Sequence, residues 1–449
     1  MGRLFGTDGV RGIANLELTP EMAYKLGRFG AFVLVSSKKS TGRIIVGKDT
    51  RISGDMLESA LIAGITSVGC DVVTIGVAPT PAVSYLVREL KADAGVVISA
   101  SHNPVEYNGI KFFNQEGYKL PDEIEESIEE YILENRDVLE VPIGEDIGRI
   151  SVDHSLVQKY KEFVKSTISH DLSGIKAIID TANGAAFESA EQALNELGAD
   201  IIAINNKPNG LNINKHCGST HPEVVSREVR DRSGYVGLAF DGDADRLIAV
   251  DEEGDVVDGD KIMAICGTHL KKKNQLKNNT VVSTVMSNIG FDIALKEHEI
   301  ETVKTKVGDR YVLESMKKDD YILGGEQSGH IIFLEHNTTG DGLLTAIQLL
   351  SVMKETGKTL RELAGVMKKY PQVLINAKVN NNNKNRFFED DVISKKIKEV
   401  EKVMDGQGRV LVRPSGTEPL VRVMIEGQDE VQMRAHAQEI VDLMEERLA

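Results

Sequence analysis

Asp241, Asp243 and Asp245 alternate with small residues in Ala239-Phe-Asp-Gly-Asp-Ala-Asp-Arg246, so in an extended loop their carboxylates can converge on one hard cation. Such oxygen ligands suit Mg²⁺, with phosphate oxygen or water completing the shell. Without a cation, three carboxylates this close repel one another. An EF-hand shares part of the pattern, with the three aspartates at loop positions 1, 3 and 5 and Glu252 at 12. The match fails where Arg246 replaces the turn glycine, and Val236 to Phe240 and Leu247 to Val250 read as strands. A solvated acidic turn is the plainer alternative.

Ile98-Ser-Ala-Ser-His-Asn-Pro104 directly follows an apolar run. Ser101, on a strand-to-loop turn, is expected to be well exposed to a ligand, and Pro104 drives Asn103 out of helical geometry. A polar turn without chemistry fits the same residues. A Ser/His/Asp hydrolase fits them less well: the Gly-x-Ser-x-Gly elbow is missing, and the adjacent Ser101 and His102 are not expected to point at one another.

Leu323-Gly-Gly-Glu-Gln-Ser-Gly-His330 puts Glu326, Ser328 and His330 on one glycine-flanked loop. Glu accepts from sugar hydroxyls, Ser donates and accepts, and His330 donates or transfers a proton. A structural turn explains this loop about as well. In Arg413-Pro-Ser-Gly-Thr-Glu-Pro-Leu-Val-Arg422, Arg413, Ser415, Thr417 and the N–H groups around Gly416 form a phosphate cradle, with Arg422 returning on the next strand. The alternative is a hairpin with its arginines in solvent. Phe5-Gly-Thr-Asp-Gly-Val-Arg-Gly12 adds Arg11, and Asn108-Gly-Ile-Lys111 adds a lysine able to act as base or to pair with phosphate. By residue type alone Lys111 reads as a surface lysine. The roles of Gly308-Asp-Arg310 and Lys48-Asp-Thr-Arg51 stay open.

These loops need a scaffold. Ile44 to Val46, Val72 to Ile75, Val96 to Ile98, Ala177 to Ile179 and Ile201 to Ile204 are short β-branched runs, each followed by turn residues and a helical pattern. That is the alternation of layered α/β domains, in which ligands gather beyond the carboxyl ends of the strands. Candidate boundaries fall in an acidic helical region near Glu140 to Ser155, at Glu252-Glu253-Gly254-Asp255 and near Tyr370-Pro371. The resulting segments are 1–153 with the serine loop, 154–253 with the carboxylate loop, 254–369 with the Glu326 loop, and 370–449. The last pairs strands at Val410 to Val412 and Val421 to Ile425 with a helix from about Glu430, a smaller α+β domain.

Composition narrows the partners. A chain of 449 residues with 41% hydrophobic and 27% charged residues is globular and multidomain, and no run approaches the ~20 apolar residues of a membrane span. The first residues lack a secretory pattern, and Cys70, Cys217 and Cys266 fall in no paired metal spacing, so a cytoplasmic protein is expected. A formal charge of -16 argues against nucleic acid as the main partner.

Taken together, the segments from Phe5 to about Arg422 resemble the α-D-phosphohexomutase superfamily, through Phe5 to Gly12, Ile98 to Pro104, Gly324 to His330 and Thr338-Thr-Gly-Asp-Gly342. Gln327 makes the resemblance nearest to the bacterial hexosamine-phosphate branch, since the mannose- and glucose-phosphate branch more often carries methionine before the serine. The resemblance implies three layered α/β/α domains plus a smaller C-terminal α+β domain around a central cleft. It implies that Ser101 is phosphorylated in the active enzyme and that one Mg²⁺ is held by Ser101, Asp241, Asp243 and Asp245. Lys111, His330 and Arg246 become proton-transfer or charge-stabilising candidates. Arg11, Glu326 and Ser328 join the substrate set, and Arg413, Ser415, Gly416, Thr417 and Arg422 hold the non-reacting phosphate. The implied partner is a small hexosamine phosphate, with glucosamine or glucose 1,6-bisphosphate as intermediate and activator, no nucleic acid or membrane, and a homodimer as an option. A mutase for neutral hexose phosphates and a metal-dependent sugar phosphatase are the competing readings.

Overall fold

The computed structural model describes residues 4–6, 8–35, 42–134, 139, 141–380, 383–404, 408–414 and 419–448. The chain forms two compact units, one of residues 1–286 and 300–366 and one of 287–299 and 367–449.

The first unit begins with a six-stranded sheet of β1 (Val10–Ile13), β2 (Arg43–Lys48), β3 (Asp71–Val77), β4 (Ala94–Ile98), β5 (Tyr107–Asn114) and β6 (Ile150–Val152), ordered β1-β5-β4-β2-β3-β6. Its helices are α1 (Pro20–Val35), α2 (Ser53–Thr66), α3 (Thr80–Glu89) and α4 (Asp122–Leu133). The start of α1 follows from its sequence: Thr19 Oγ1 accepts from Met22 N at 3.2 Å, and Pro20 needs no amide partner in the first turn. Every residue of β4 is buried, as a central strand covered on both faces requires. Ile44, Val46, Ala94, Val96 and Ile98 share one cluster with α1, α2 and α4, while Val83 of α3 lies against Gly47 and Gly95. Helices thus sandwich the sheet, and Ser101 emerges three residues past the carboxyl end of β4.

The second sheet combines β7 (Lys176–Asp180), β8 (Asp200–Ile204), β9 (Val236–Phe240), β10 (Leu247–Val250) and β11 (Val256–Val257) in the order β11-β10-β9-β7-β8, with helices α5 (Leu156–Ser166), α6 (Ser189–Glu196) and α7 (Pro222–Arg230). Strands β9 and β10 are antiparallel, Phe240 opposite Leu247, and the carboxylate loop is their connection. After α8 (Gly259–Lys272), the third sheet is built from β12 (Thr280–Thr284), β13 (Glu301–Thr305), β14 (Leu323–Gly325) and β15 (Ile331–Phe333), ordered β13-β12-β14-β15. Helix α9 (Ile289–Glu297), between β12 and β13 in the chain, belongs to the second unit; α10 (Asp309–Asp319), α11 (Gly342–Thr356) and α12 (Leu360–Ala364) belong to the first. The second unit adds β16 (Gln372–Lys378), α13 (Asp391–Val403), β17 (Arg409–Pro414), β18 (Leu420–Glu426) and α14 (Glu430–Leu448). Its antiparallel sheet β16-β18-β17 packs Val373, Val421, Val423 and Ile425 against Ile440, Val441 and Met444 of α14.

One expectation needs correction. The 140–155 segment is not an acidic helix: it carries a single 3₁₀ turn at Gly144–Asp146 and then β6, which pairs in parallel with β3. Pro142, Gly144 and Gly148 break the helical pattern that the acidic residues suggest. Glu252 takes no part in a cation loop; its carboxylate accepts from Leu360 N at 2.8 Å and Arg361 N at 3.0 Å, capping α12. Among the described residues, no helix is long and apolar enough to cross a membrane.

Two predictions follow from this packing. Tyr160 of α5 donates to Asp341 Oδ1 at 2.7 Å, and Asp341 caps α11 through Leu344 N at 2.9 Å. Tyr160→Phe should therefore lower unfolding stability by ~1.5–3 kcal/mol in urea titrations, the cost of removing a buried hydrogen bond to a carboxylate. Burial raises the Cys70 thiol to about 11 and the Cys217 and Cys266 thiols to about 12. At pH 8 the native protein should leave Ellman's reagent unreduced, and the denatured chain should titrate all three thiols.

Candidate active site

Ser101 sits in the left-handed backbone region, φ 51°, which a residue with a Cβ adopts only when its surroundings impose it. Those surroundings are buried polar groups. Arg51 donates from Nη2 to the carbonyls of Ser101 (3.0 Å) and Asn103 (2.8 Å), and also reaches the carbonyl of Pro104. Asn214 Nδ2 donates to the Ser101 carbonyl at 2.8 Å, and Ser101 N donates to Ser99 Oγ at 2.9 Å. Asp49 supports the arrangement from behind, accepting from Ser99 Oγ at 2.6 Å and Arg51 Nε at 2.9 Å. The Lys48-Asp-Thr-Arg51 segment, open from sequence, is therefore the brace of the serine loop. Ser101 itself is buried rather than exposed, because the carboxylate loop lies directly against it.

Ser101 Oγ donates to Asp241 Oδ2 at 2.6 Å. It also lies 3.2 Å from His102 Nδ1, so the neighbours do meet, contrary to expectation, because the turned backbone swings the two side chains together. Burial, then Arg246 and Arg11, push His102 down to about 4, leaving the imidazole neutral at pH 7.

The carboxylate loop is a tight turn rather than an extended segment, with Ala244 at φ 57°. Glycine at 242 is a steric necessity: a Cβ there would stand 2.5 Å from the Ser101 carbonyl oxygen. Asp241, Asp243 and Asp245 are all buried and bring one oxygen each within 4.8 Å of the others. Asp241 Oδ1 accepts from Arg246 N at 3.1 Å; Asp243 Oδ2 accepts from Thr80 Oγ1 at 2.7 Å and Lys111 Nζ at 2.9 Å. Asp243 Oδ1 and Asp245 Oδ1 are buried with no hydrogen-bond partner. Such orphaned carboxylate oxygens fit a hard divalent cation, which would satisfy both. Burial, reinforced by Asp245 and Asp243, pushes Asp241 well above the usual carboxylate range. Burial acts the same way on Asp243, but Lys111 outweighs it and holds that carboxyl low.

Lys111 is not a surface lysine. It is buried, bonded to Asp243 and 3.0 Å from Asp8 Oδ2, and these carboxylates overcome desolvation to raise its pKa. Asp8 also pairs with Arg11 and with Lys119 at 2.5 Å, so three cations share one carboxylate. Arg246 is half-buried with Nε 3.8 Å from Asp245 Oδ1, and its backbone bridges that of His330. The Glu326 loop is fastened here by Leu247 N donating to the Gly329 carbonyl at 3.0 Å. His330 is buried against Gly340, where a Cβ would come within 2.4 Å of the imidazole ring. Glu326 is half-buried and accepts from Gly308 N at 3.1 Å; Ser328 is exposed. Gln327 turns back from the loop and donates to Asp260 Oδ2 of α8 at 3.1 Å.

In the first unit, therefore, Ser101, Lys111, the three aspartates, Arg246, His330 and Arg11 gather in one polar network. In the second unit, Arg413 and Arg422 face each other across β17 and β18. Ser415, Gly416 and Thr417 lie outside the described residues. Asp8, Thr80, Lys119 and Asn214 were not read from sequence; they are single polar residues on separate segments, Thr80 opening α3 and the others on loops, and only Asp8 lies within a sequence motif singled out above.

Comparison with known proteins places this geometry. The models of the phosphoglucomutase/phosphomannomutase family match in chain order: α/β/α domain I over residues 2–138, domain II over 155–254, domain III over 258–370 and the C-terminal domain over 374–443. The chain belongs to that family. It is 60% identical over 448 residues to the phosphoglucosamine mutase of Alkaliphilus oremlandii, and 60% identical over 448 residues to that of Acetivibrio thermocellus, covering 100% of each chain in both cases. Its fold is similar to a phosphoglucomutase/phosphomannomutase family protein from Burkholderia thailandensis, with TM-score 0.84 at 22% identity, over 100% of this chain and 99% of the other.

Asp243→Ala removes an orphaned oxygen and the partner of Lys111 together. Calorimetric titration with Mg²⁺ should show affinity at least ~10-fold weaker than wild type, with the circular-dichroism spectrum unchanged. Undiminished Mg²⁺ binding would show that Asp243 does not hold a cation here.

Proposed function

We infer that this chain is a phosphoglucosamine mutase, an intramolecular phosphotransferase that interconverts glucosamine 6-phosphate and glucosamine 1-phosphate. The observation that carries the reading is the 2.6 Å contact between Ser101 Oγ and Asp241 at the edge of the buried carboxylate triad. The full-length identity to phosphoglucosamine mutases supports the substrate class. We assign Ser101 as the phosphoryl carrier and Asp241, Asp243 and Asp245 as ligands of one Mg²⁺, which when bound supplies positive charge for phosphoryl oxygens.

In the proposed cycle, a sugar hydroxyl attacks the phosphorus of phospho-Ser101, the P–Oγ bond breaks, and the hydroxyl proton passes to a nearby base. The resulting sugar bisphosphate turns end for end. Ser101 Oγ then takes back the phosphoryl group from the other position, and the sugar oxygen that loses it regains a proton. Charge gathers on the equatorial phosphoryl oxygens, so fixed cations beside Ser101 lower the barrier. Lys111 suits that part better than the part of base, since its surroundings keep it protonated. His330, whose ring nitrogens are buried without a hydrogen-bond partner, is the proposed proton carrier, and Arg246 and Arg11 add charge. Glu326 and Ser328 read the sugar, and Arg413 to Arg422 hold the phosphate that is not reacting. Burial of Ser101 favours transfer to a sugar over hydrolysis, because water is excluded from the phosphoserine.

The same reading divides the chain at about 153, 253 and 369; four sheets follow one another in chain order, with β11 of the second sheet past 253 and α9 grouped with the C-terminal residues. Glucosamine or glucose 1,6-bisphosphate is the proposed intermediate and activator, and the product would feed amino-sugar nucleotide and cell-wall synthesis.

Steady-state assays with Mg²⁺ and a trace of sugar bisphosphate should give higher kcat/KM for glucosamine 6-phosphate than for mannose 1-phosphate or glucose 1-phosphate. Preference for a neutral hexose phosphate would keep the mechanism and change the substrate. Steady release of inorganic phosphate would favour a phosphatase. Ser101→Ala should lower kcat by ~10³-fold or more, the scale expected when a covalent nucleophile is lost.

A further inference from the structure

The Gly308-Asp-Arg310 turn joins loops that lie far apart in sequence. Gly308 N donates to Glu326 on the sugar loop, and Arg310 Nη2 donates to the Leu120 carbonyl at 3.0 Å and to Glu125 Oε2 at 2.8 Å. Between them Asp309, the first residue of α10, pairs through Oδ2 with Lys119, and Lys119 in turn pairs with Asp8 at 2.5 Å. The same Asp309 oxygen stands 3.6 Å from His330 Nε2.

His330 needs such a neighbour. Both ring nitrogens are buried without a hydrogen bond, and the other carboxylate near Nε2 is Asp245 Oδ2 at 4.0 Å. Asp245 belongs to the proposed metal set, which leaves Asp309 as the carboxylate able to serve the imidazole. A separation of 3.6 Å is longer than a hydrogen bond, yet such contacts commonly shorten when substrate fills a site. We propose that Asp309 is a positioning residue of this site, its carboxylate holding the Lys119 ammonium and the His330 ring in one placement relative to Ser101. Burial works against the Asp309 charge, but Lys119 and then His330 outweigh it and keep the carboxyl below its ordinary range. Asp309 touches none of Ser101, the aspartate triad or Arg246 in the contacts described above, so its influence on the reaction is indirect, through His330 on one side and the Lys119–Asp8 pair on the other, and the double variant reads the His330 arm.

The inference rests on the mutase reading, and the experiment separates the two. Wild type, Asp309→Asn, His330→Gln and the double variant are assayed with glucosamine 6-phosphate, alongside their thermal midpoints. Asp309→Asn should lower kcat by about 10- to 100-fold while KM stays within ~3-fold and the midpoint is unchanged, as when an orienting partner of an active histidine is removed. In the His330→Gln background the same change should cost less than ~3-fold, because residues acting as a unit are not additive. Asp309→Glu, which keeps the carboxylate, should recover part of the loss and takes over the measurement if Asp309→Asn does not fold. Additive losses in the double variant, or a loss confined to KM or stability, overturn the proposal while wild-type turnover leaves the mutase reading standing. Absence of wild-type turnover overturns both.

Discussion

Burying several carboxylates beside Ser101 is the constraint around which the rest of this molecule is arranged. Asp241, Asp243 and Asp245 are removed from water and crowded within 4.8 Å, a placement that costs several kcal/mol per unpaired charge unless cations answer it. The chain answers with Lys111 from β5, Arg246 from the loop itself, and the Asp8-centred group of Arg11, Lys111 and Lys119. Two carboxylate oxygens are still left without partners, which reserves a place for a divalent ion. The site is thus electrostatically incomplete on its own, a sensible condition for a centre that must bind and release phosphoryl charge.

Holding those groups so close demands a stiff backbone. The serine loop is fixed through its carbonyls by Arg51 and Asn214, and the carboxylate loop approaches it only because residue 242 lacks a Cβ. The strain at Ser101 is sustained by hydrogen bonds to groups that are themselves buried and paired, so this serine has little freedom to relax. Positioning, more than any single interaction, is what the three sheets of the first unit provide.

Part of this was legible in the sequence because the relevant residues are local. Three aspartates in five positions, and a serine between an apolar strand and an Asn-Pro exit, advertise themselves without a fold. The strands at 44–46, 72–75, 96–98, 177–179 and 201–204 were legible for a similar reason: β-branched runs bounded by turn residues carry their own period. Lys111 was misjudged because Asp243, the partner that buries it, lies 132 residues away. Asp8 and Asp309 lie in segments the sequence marks, Phe5 to Gly12 and Gly308-Asp-Arg310, but Lys119, which links them, is one charge with no local signal, and their pairing spans almost the whole first unit. The 140–155 segment misled in the opposite direction, its acidic composition suggesting a helix that Pro142 and the glycines forbid.

The second unit is discontinuous: α9 is laid down before β13, and its companions follow only after residue 366. Asn288, at the cap of α9, exchanges hydrogen bonds of 3.0 Å with the backbone of Tyr370, and Ile289 N donates to Glu426 Oε2, 137 residues further along. On the ribosome this helix is therefore made with only its local cap, Gly290 N to Asn288 Oδ1, and its Tyr370 and Glu426 partners follow later in the chain. A chain stopped after 366 would carry α9 without the Tyr370 and Glu426 groups that its cap bonds in the folded protein.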